Sequence, residues 1–284
     1  AQAGVPPQNL AVVDQHGSAG WALLGAMPAL AEGLDRRAAL RWQDAQPFHL
    51  RGNTDFASVM RREELRPRIA NPADGLIFTA NSRVIDDAKW PQLADGSYAL
   101  GARQAQIADG LRARGKHSEQ DMLKIALDDR AVFLSRWHAL LQRVTSDAGT
   151  AASADVQTIA SLLTGWTGRA QPDNVAYRWV REFRASVHDL VIEGLLHPVR
   201  ERYPDLELLR MRQLEAVVWQ LLQEQPAHLL NPRYATYEAL LRDAIAHAVE
   251  RVRASYPGAL AERTFSEFSH KAVAHPLTRA IPAL

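Results

Sequence analysis

The sequence contains no cysteine, and this absence removes several kinds of chemistry at once. Without thiols there is no disulfide, no thiolate nucleophile and no cysteine-based metal site. An excess of charge of either sign is also missing, because the formal net charge is +1. No apolar run approaches the roughly 20 residues that a membrane-spanning helix needs. The sequence therefore predicts neither a nucleic-acid partner nor a membrane partner.

Several catalytic signatures are missing as well. There is no phosphate-binding glycine loop and no dinucleotide fingerprint. Ser18 stands in Gly17-Ser18-Ala19-Gly20 rather than in a Gly-x-Ser-x-Gly elbow, so we interpret it as a turn residue. His270 and His275 do not share one helix face, and we predict no metal site there. The start of the chain lacks the regions of a signal peptide, so any export signal is expected upstream of it.

The first part of the chain carries the signals for strands. Two apolar runs, Asn9–Asp14 and Ala19–Leu24, flank a turn that contains Gly17, and together they predict a β-hairpin in which His16 is a turn residue. Residues 31–70 are charged and interrupted by prolines, which predicts a long connection with one short helix at most. The apolar run Leu76–Thr79 predicts a third, buried strand.

From about residue 98 the pattern is helical, and Ser118 with Asp121 predicts a capping box. Apolar residues at helical spacing predict four helices: Met122–Leu140, Val175–Val191, Leu206–Leu222 and Tyr237–Val252. Four prolines are expected to separate helices: Pro198, Pro204, Pro226 and Pro232. The predicted fold class is α+β and predominantly α, with a β-containing part over residues 1–97 and a helical region over residues 98–284.

The segment Asn71–Arg83 gives the clearest functional signal. A Pro/Gly turn leads into the predicted strand, and that strand ends on the uncharged amide of Asn81. An amide fixed at a strand end is a hydrogen-bond donor of the kind that stabilises an oxyanion. The alternative is an asparagine that ends a strand by bonding its own backbone. From the pattern alone, the second interpretation is favoured, and Arg83 is interpreted as structural.

Motifs in seven segments occur in the order found in one known family: Pro7–Asp14 with Gly17, Trp21, Gly25 and Pro28; Asn71–Arg83; Arg103; Ser118–Met122 with Asp128; Leu163–Gly168; Gln225–Leu230; and His275–Leu277. The chain resembles the penicillin amidase family of N-terminal nucleophile hydrolases. This resemblance implies that the hairpin and the strand belong to an Ntn-hydrolase sandwich. It also implies that a serine at the N-terminus of a processed chain attacks an amide carbonyl while its α-amine takes the proton.

The resemblance also implies roles for two residues. Asn81 would donate its side-chain N–H to the oxyanion. Arg103, 22 residues further on, would orient Asn81 and the N-terminal amine or line the substrate entrance. The other interpretation of Arg103 is a solvated charge on the first turns of a helix. The implied substrate is an acylated amine, such as a β-lactam side chain or, as we slightly favour, an acyl-homoserine lactone.

The chain also departs from the family pattern. Its first residue, Ala1, carries no nucleophilic group, so we expect an internal part of a β-chain that is inactive alone. Its partners would be the α-chain and the remaining β-chain segments, in the periplasm. No cofactor is expected; some relatives hold a structural calcium, but no clustered oxygen-ligand loop is visible. Two alternatives stay open: a non-catalytic helical scaffold or interaction module derived from the family, and an unrelated helical binding domain with an appended hairpin.

Overall fold

The computed structural model describes residues 8–25, 67–84, 98–148, 152–204 and 213–269. These residues divide into two units. The first contains residues 8–25, 67–84, 98–126 and 213, and the second contains residues 127–148, 152–204 and 214–269. The boundary predicted between residues 97 and 98 adjoins a stretch, 85–97, that lies outside the described residues.

The first unit begins with three antiparallel strands in the order β1-β2-β3: β1 Gln8–Val13, β2 Ala19–Leu24 and β3 Arg68–Ala70. β1 and β2 form the predicted hairpin. At its turn, Gly17 has φ +83°, a conformation that glycine adopts without steric cost. The carboxylate of Asp14 accepts hydrogen bonds from the backbone N–H groups of His16 and Ser18, each at 2.9 Å. The hairpin is confirmed, and Ser18 is a turn residue.

The third strand is not where the sequence predicted it. Leu76–Thr79 forms no strand within the described residues, and β3 lies instead inside the stretch 31–70 that was predicted to be a connection. A strand needs a hydrogen-bonded neighbour. Residues 76–79 pair with no described strand, whereas β2 pairs with β1 on one side and with β3 on the other, where Trp21 faces Ile69. Residues 31–66 of the predicted connection lie outside the described residues.

Helices make up most of the remaining described residues: α1 Ala102–Arg112, α2 Glu119–Ala126, α3 Ser135–Asp147, α4 Ala154–Leu162, α5 Val175–Arg202, α6 Glu215–Glu224, α7 Tyr237–Ser255 and α8 Phe265–Ser269. The predicted capping box starts α2, because the backbone N–H of Asp121 donates to Ser118 Oγ at 3.3 Å and that of Ser118 donates to Asp121 Oδ2 at 3.2 Å. The small sheet and the many helices confirm the predicted α+β, predominantly α class.

The helix predicted over Met122–Leu140 is interrupted between α2 and α3. There the carboxylate of Asp128 accepts a hydrogen bond from the backbone N–H of Arg130 at 3.1 Å. The backbone N–H of Ala131 donates to the carbonyl of Gly168 at 2.7 Å. These backbone groups are therefore used outside a helix, even though the apolar spacing continues through them.

The role predicted for the prolines is wrong at Pro198, which lies inside α5. A proline there cannot donate to the carbonyl of Gly194, but only one further turn follows before α5 ends. The other three prolines lie outside helices. Residues 206–212 of the helix predicted over Leu206–Leu222 lie outside the described residues; after them, Gln213 has φ +67° and α6 begins only beyond it.

The second unit is held together by a helical core in which α5 packs along α7. Its largest fully buried side chains include Trp137, Trp179, Phe183 and Leu240. The indole N–H of Trp179 donates to the carbonyl of Leu260 at 3.1 Å, so this polar group is satisfied inside the core. The amphipathic spacing that predicted Val175–Val191 therefore corresponds to a real buried face.

One buried carboxylate joins three helices of this unit. Glu215, in the first turn of α6, is 5% exposed. Its oxygens accept hydrogen bonds from the guanidinium groups of Arg136 and Arg184 and, at 2.8 Å, from the indole N–H of Trp137. His188 Nε2 lies 2.9 Å from the same carboxylate. A charge this deep is tolerated because two guanidinium groups and an indole N–H donate to it.

Candidate functional site

Asn81 lies in the first unit, just after the half-buried residues 76–79 and the buried Ala80. Its φ of +63° is left-handed, a conformation that asparagine adopts more readily than most residues. Its backbone carbonyl accepts a hydrogen bond from the N–H of Ala99 at 2.8 Å. The side chain is exposed, so it is held in a defined backbone conformation while facing outward.

Arg103 lies in the first turn of α1 and reaches back to this position. Its Nη2 donates to Asn81 Oδ1 at 3.0 Å and to the carbonyl of Ala80 at 2.9 Å. Two residues that are 22 positions apart in sequence are thus in direct contact. Arg103 is a charge on the first turn of a helix, as one interpretation had it, and it also meets the asparagine, as the other required.

The contact with Arg103 fixes the orientation of the Asn81 amide. A guanidinium group has donors only, so the atom that it meets must be the amide oxygen. The amide nitrogen, Nδ2, therefore points away from Arg103. Among the described residues no partner accepts a hydrogen bond from Nδ2. The arrangement presents a positioned N–H donor that no described residue accepts from, and a positioned donor is what stabilisation of an oxyanion requires.

A second pair of side chains, which sequence reasoning missed, holds the residues that follow. Ser82 is 9% exposed, and its hydroxyl donates to Gln104 Oε1. Gln104 Nε2 donates to the backbone carbonyl of Arg83 at 3.3 Å. Serine and glutamine are common polar residues, so nothing in their sequence spacing marks them as a pair. Only the return of α1 to this segment brings them together.

A cavity of about 500 Å³ opens on this part of the first unit. Its wall includes the aromatic ring of Phe78, the polar side chains of Ser82 and Gln104, and the small Ala108. The guanidinium of Arg112 lies 5.4 Å from the centre of the Phe78 ring. Asn81 does not line this cavity, which therefore adjoins the Ser82–Gln104 pair rather than the amide donor.

No other cluster in the described ranges offers comparable chemistry. Within them, no group of three or more His, Asp or Glu side chains could hold a metal ion. None of the helices described is long and apolar enough to cross a membrane. His270 and His275 lie outside the described residues.

Comparison with known proteins gives this geometry a context. A sequence model described as penicillin amidase matches residues 1–283. No curated protein is significantly similar in sequence. Among solved structures, the chain is similar to a thermostable penicillin G acylase from Alcaligenes faecalis, with a TM-score of 0.53 and 14% sequence identity. The similarity covers 94% of this chain and 52% of that chain, so the present chain spans about half of that protein's length.

The small antiparallel sheet followed by many helices is the fold that this chain shares with the acylase structure. The match of the sequence model over residues 1–283 is more specific than this likeness of fold: the chain belongs to the penicillin amidase family, whose members are hydrolytic acylases. The family resemblance read from the sequence motifs is thereby confirmed.

Proposed function

We propose that this chain contributes the oxyanion-stabilising part of an amide-hydrolysing acylase. One observation carries the proposal: Arg103 binds Asn81 Oδ1 and so turns the Nδ2 donor toward an open position. In the proposed reaction, the serine hydroxyl at the N-terminus of a processed chain attacks the amide carbonyl, and its own α-amine takes the proton. Asn81 donates to the carbonyl oxygen as negative charge develops on it.

The proposed reaction has two halves. Collapse of the first tetrahedral intermediate breaks the C–N bond, the amine leaves with a proton, and an acyl-serine ester remains. Water then attacks the ester, and the acid is released with the serine hydroxyl restored. Asn81 serves both halves, because each passes through an oxyanion at the same carbonyl. Arg103 is a positioning residue in this scheme, since it acts through the amide of Asn81.

The substrate class that we propose is a linear amide of an acylated amine, such as a β-lactam side chain or an acyl-homoserine lactone. The nucleophile would come from residues outside these 284, so the chain by itself would be inactive. Among the described strands only β2 pairs with β1, and the other edge of β1 supports partners from the same precursor, an α-chain and further β-chain segments. Val12 and Val13 on that strand are 54% and 77% exposed, and a free apolar strand is a surface that pairing would cover. We place the protein in the periplasm on the family resemblance alone.

The test is Asn81→Ala in the processed protein that contains this chain, assayed on chromogenic anilides of short, long and aromatic acids. Loss of one oxyanion donor lowers kcat by about 10²–10³, with KM little changed, because the donor acts in the transition state.

Asn81→Asp is the matched control for structure. It keeps the contact with Arg103 but removes the N–H donor, so the fold should persist while activity is lost. Full activity in either variant would contradict the proposal, and a protein that accumulates only as an inert single chain would favour the scaffold alternative.

A further inference from the structure

Four backbone or side-chain groups of residues 80–83 are held by Arg103 and Gln104, two neighbouring residues in the first turn of α1. Arg103 binds the carbonyl of Ala80 and the side chain of Asn81, as described above. Ser82 donates to Gln104, and Gln104 donates to the carbonyl of Arg83. The left-handed Asn81 is therefore held on both sides, by Arg103 at Ala80 and Asn81 and by Gln104 at Ser82 and Arg83. We call these hydrogen bonds of Arg103 and Gln104 the clamp.

The contact on the Gln104 side is made by hydrogen bonds at the border of a cavity. Ser82 and Gln104 both line the cavity of about 500 Å³, so one side of the pair faces open space rather than a packed neighbour among the described residues. A side chain that borders a cavity is free to change rotamer unless polar contacts hold it. Gln104 uses both ends of its amide for this, with Oε1 as acceptor and Nε2 as donor. Removing these bonds should loosen residues 82–83 without collapsing a packed core.

We infer that Gln104 is a positioning residue for Asn81. By fixing the backbone that follows Asn81, Gln104 and Ser82 restrict ψ of a residue whose left-handed conformation needs support from its surroundings. The aim of the Nδ2 donor then depends on Gln104 as well as on Arg103. This inference rests on the proposed oxyanion role of Asn81. It adds that Gln104 holds the backbone after Asn81, a contact that Arg103 does not make.

The experiment compares Gln104→Met and Gln104→Glu in the processed protein. Methionine keeps the length of the side chain and removes both hydrogen bonds, whereas glutamate keeps the acceptor for Ser82 and loses the donor to the carbonyl of Arg83. Since misplacement of a reacting group by about 1 Å costs on the order of 100-fold, Gln104→Met should lower kcat by about 10- to 100-fold. Gln104→Glu should recover part of that loss.

The controls separate positioning from a general loss of structure. Gln120 is an exposed glutamine on α2 in the same unit, so Gln120→Met and Gln120→Glu make the same chemical changes where no clamp exists. For Gln104→Met, KM should stay within about twofold of the parent, because the lost interaction matters in the transition state. Hydrogen exchange of the Ala99 amide, which donates to the carbonyl of Asn81, should speed up in Gln104→Met and not in Gln120→Met.

Asn81→Ala, measured in parallel, distinguishes failure of the inference about Gln104 from failure of the proposed function. If Asn81→Ala is inactive while Gln104→Met keeps the parental kcat and Ala99 exchange rate, the inference is overturned and the proposed function stands. If Asn81→Ala is fully active, the proposed function fails first. Should Gln104→Met not accumulate, Ser82→Ala removes one of the same bonds, and an unchanged kcat in that variant overturns the inference equally.

Discussion

The buried carboxylate of Glu215 gives the sharpest prediction about stability. Burial by itself raises the pKa of a carboxyl group, but here it is outweighed by the hydrogen bond with His188, the charge of Arg184 and the hydrogen bonds from Trp137 and Arg136. Together these lower the pKa of Glu215 from 4.5 to about 2. Glu215→Gln removes the charge while keeping one acceptor oxygen. Comparison of this variant with the parent therefore measures what the ionised carboxylate contributes to the free energy of unfolding.

The magnitude follows from the two pKa values. The pKa in the folded state lies below 4.5, so the unfolded chain binds the proton more tightly, and the stabilising effect is complete only above that value. The difference between the two pKa values corresponds to a contribution of about 3 kcal/mol to the free energy of unfolding at pH 7. This contribution falls to about 1 kcal/mol at pH 3, because the carboxylate begins to bind a proton. Glu215→Gln has no proton to bind at this position. The difference in free energy of unfolding between the parent and Glu215→Gln, called the gap below, should therefore be largest at neutral pH. It should become smaller as the pH falls toward 2.

Urea unfolding at pH 7, 5 and 3, followed by circular dichroism, measures this gap directly. The matched control is Glu224→Gln, at the exposed end of the same helix, which should differ from the parent by less than about 0.5 kcal/mol at each pH. A gap for Glu215→Gln below about 1 kcal/mol at pH 7, or one of equal size at pH 7 and pH 3, would refute the reasoning. It would mean that the guanidinium groups of Arg136 and Arg184 do not hold the carboxylate as the structure shows.

Two further predictions concern close contacts in the second unit. A Cβ added at Gly194 would lie 2.5 Å from the Cα of Asn231. Gly194→Ala should therefore lower the free energy of unfolding, measured in urea, by about 1–3 kcal/mol. The control is Gly165→Ala, because a Cβ added there meets no atom within 4 Å. Asn174 caps α5 by accepting from the N–H of Tyr177 at 2.7 Å and donates to the carbonyl of Gly165 at 3.2 Å. Asn174→Ala should lower the free energy of unfolding by about 2 kcal/mol. Asn174→Asp keeps the helix cap but loses the bond to Gly165, so it should lower the free energy of unfolding by less. Equal losses in the two variants would show that the bond to Gly165, and not the cap, carries the effect.

Local signals in the sequence were sufficient for the hairpin and for most helices. The hairpin depends on Gly17 and on two adjacent apolar runs, so everything that specifies it lies within a few residues. β3 was missed because three residues are too few to show alternation, and its existence depends on a free edge of β2. Apolar spacing failed between α2 and α3, where the side chain of Asp128 captures a backbone N–H that the pattern does not see.

The candidate site shows the same division between residue type and geometry. The pattern alone favoured a structural role for Asn81 and gave no catalytic role to Arg103, so both residues were identified through the resemblance to a known family. The contact between them was not derivable, since it requires α1 to return to the same place. Ser82 and Gln104 gave no signal, because their importance lies entirely in which atoms they face.

The clamp around Asn81 also bears on how much the chain length near the site can vary. Its hydrogen bonds join residues 80–83 directly to Ala99, Arg103 and Gln104. None of these hydrogen bonds involves residues 84–98, so the number of residues between the two groups matters only in that α1 must reach the same place. Insertions and deletions should therefore accumulate here during evolution without disturbing the donor. In distant relatives the 22-residue spacing would then be a weaker signature than the asparagine and arginine themselves.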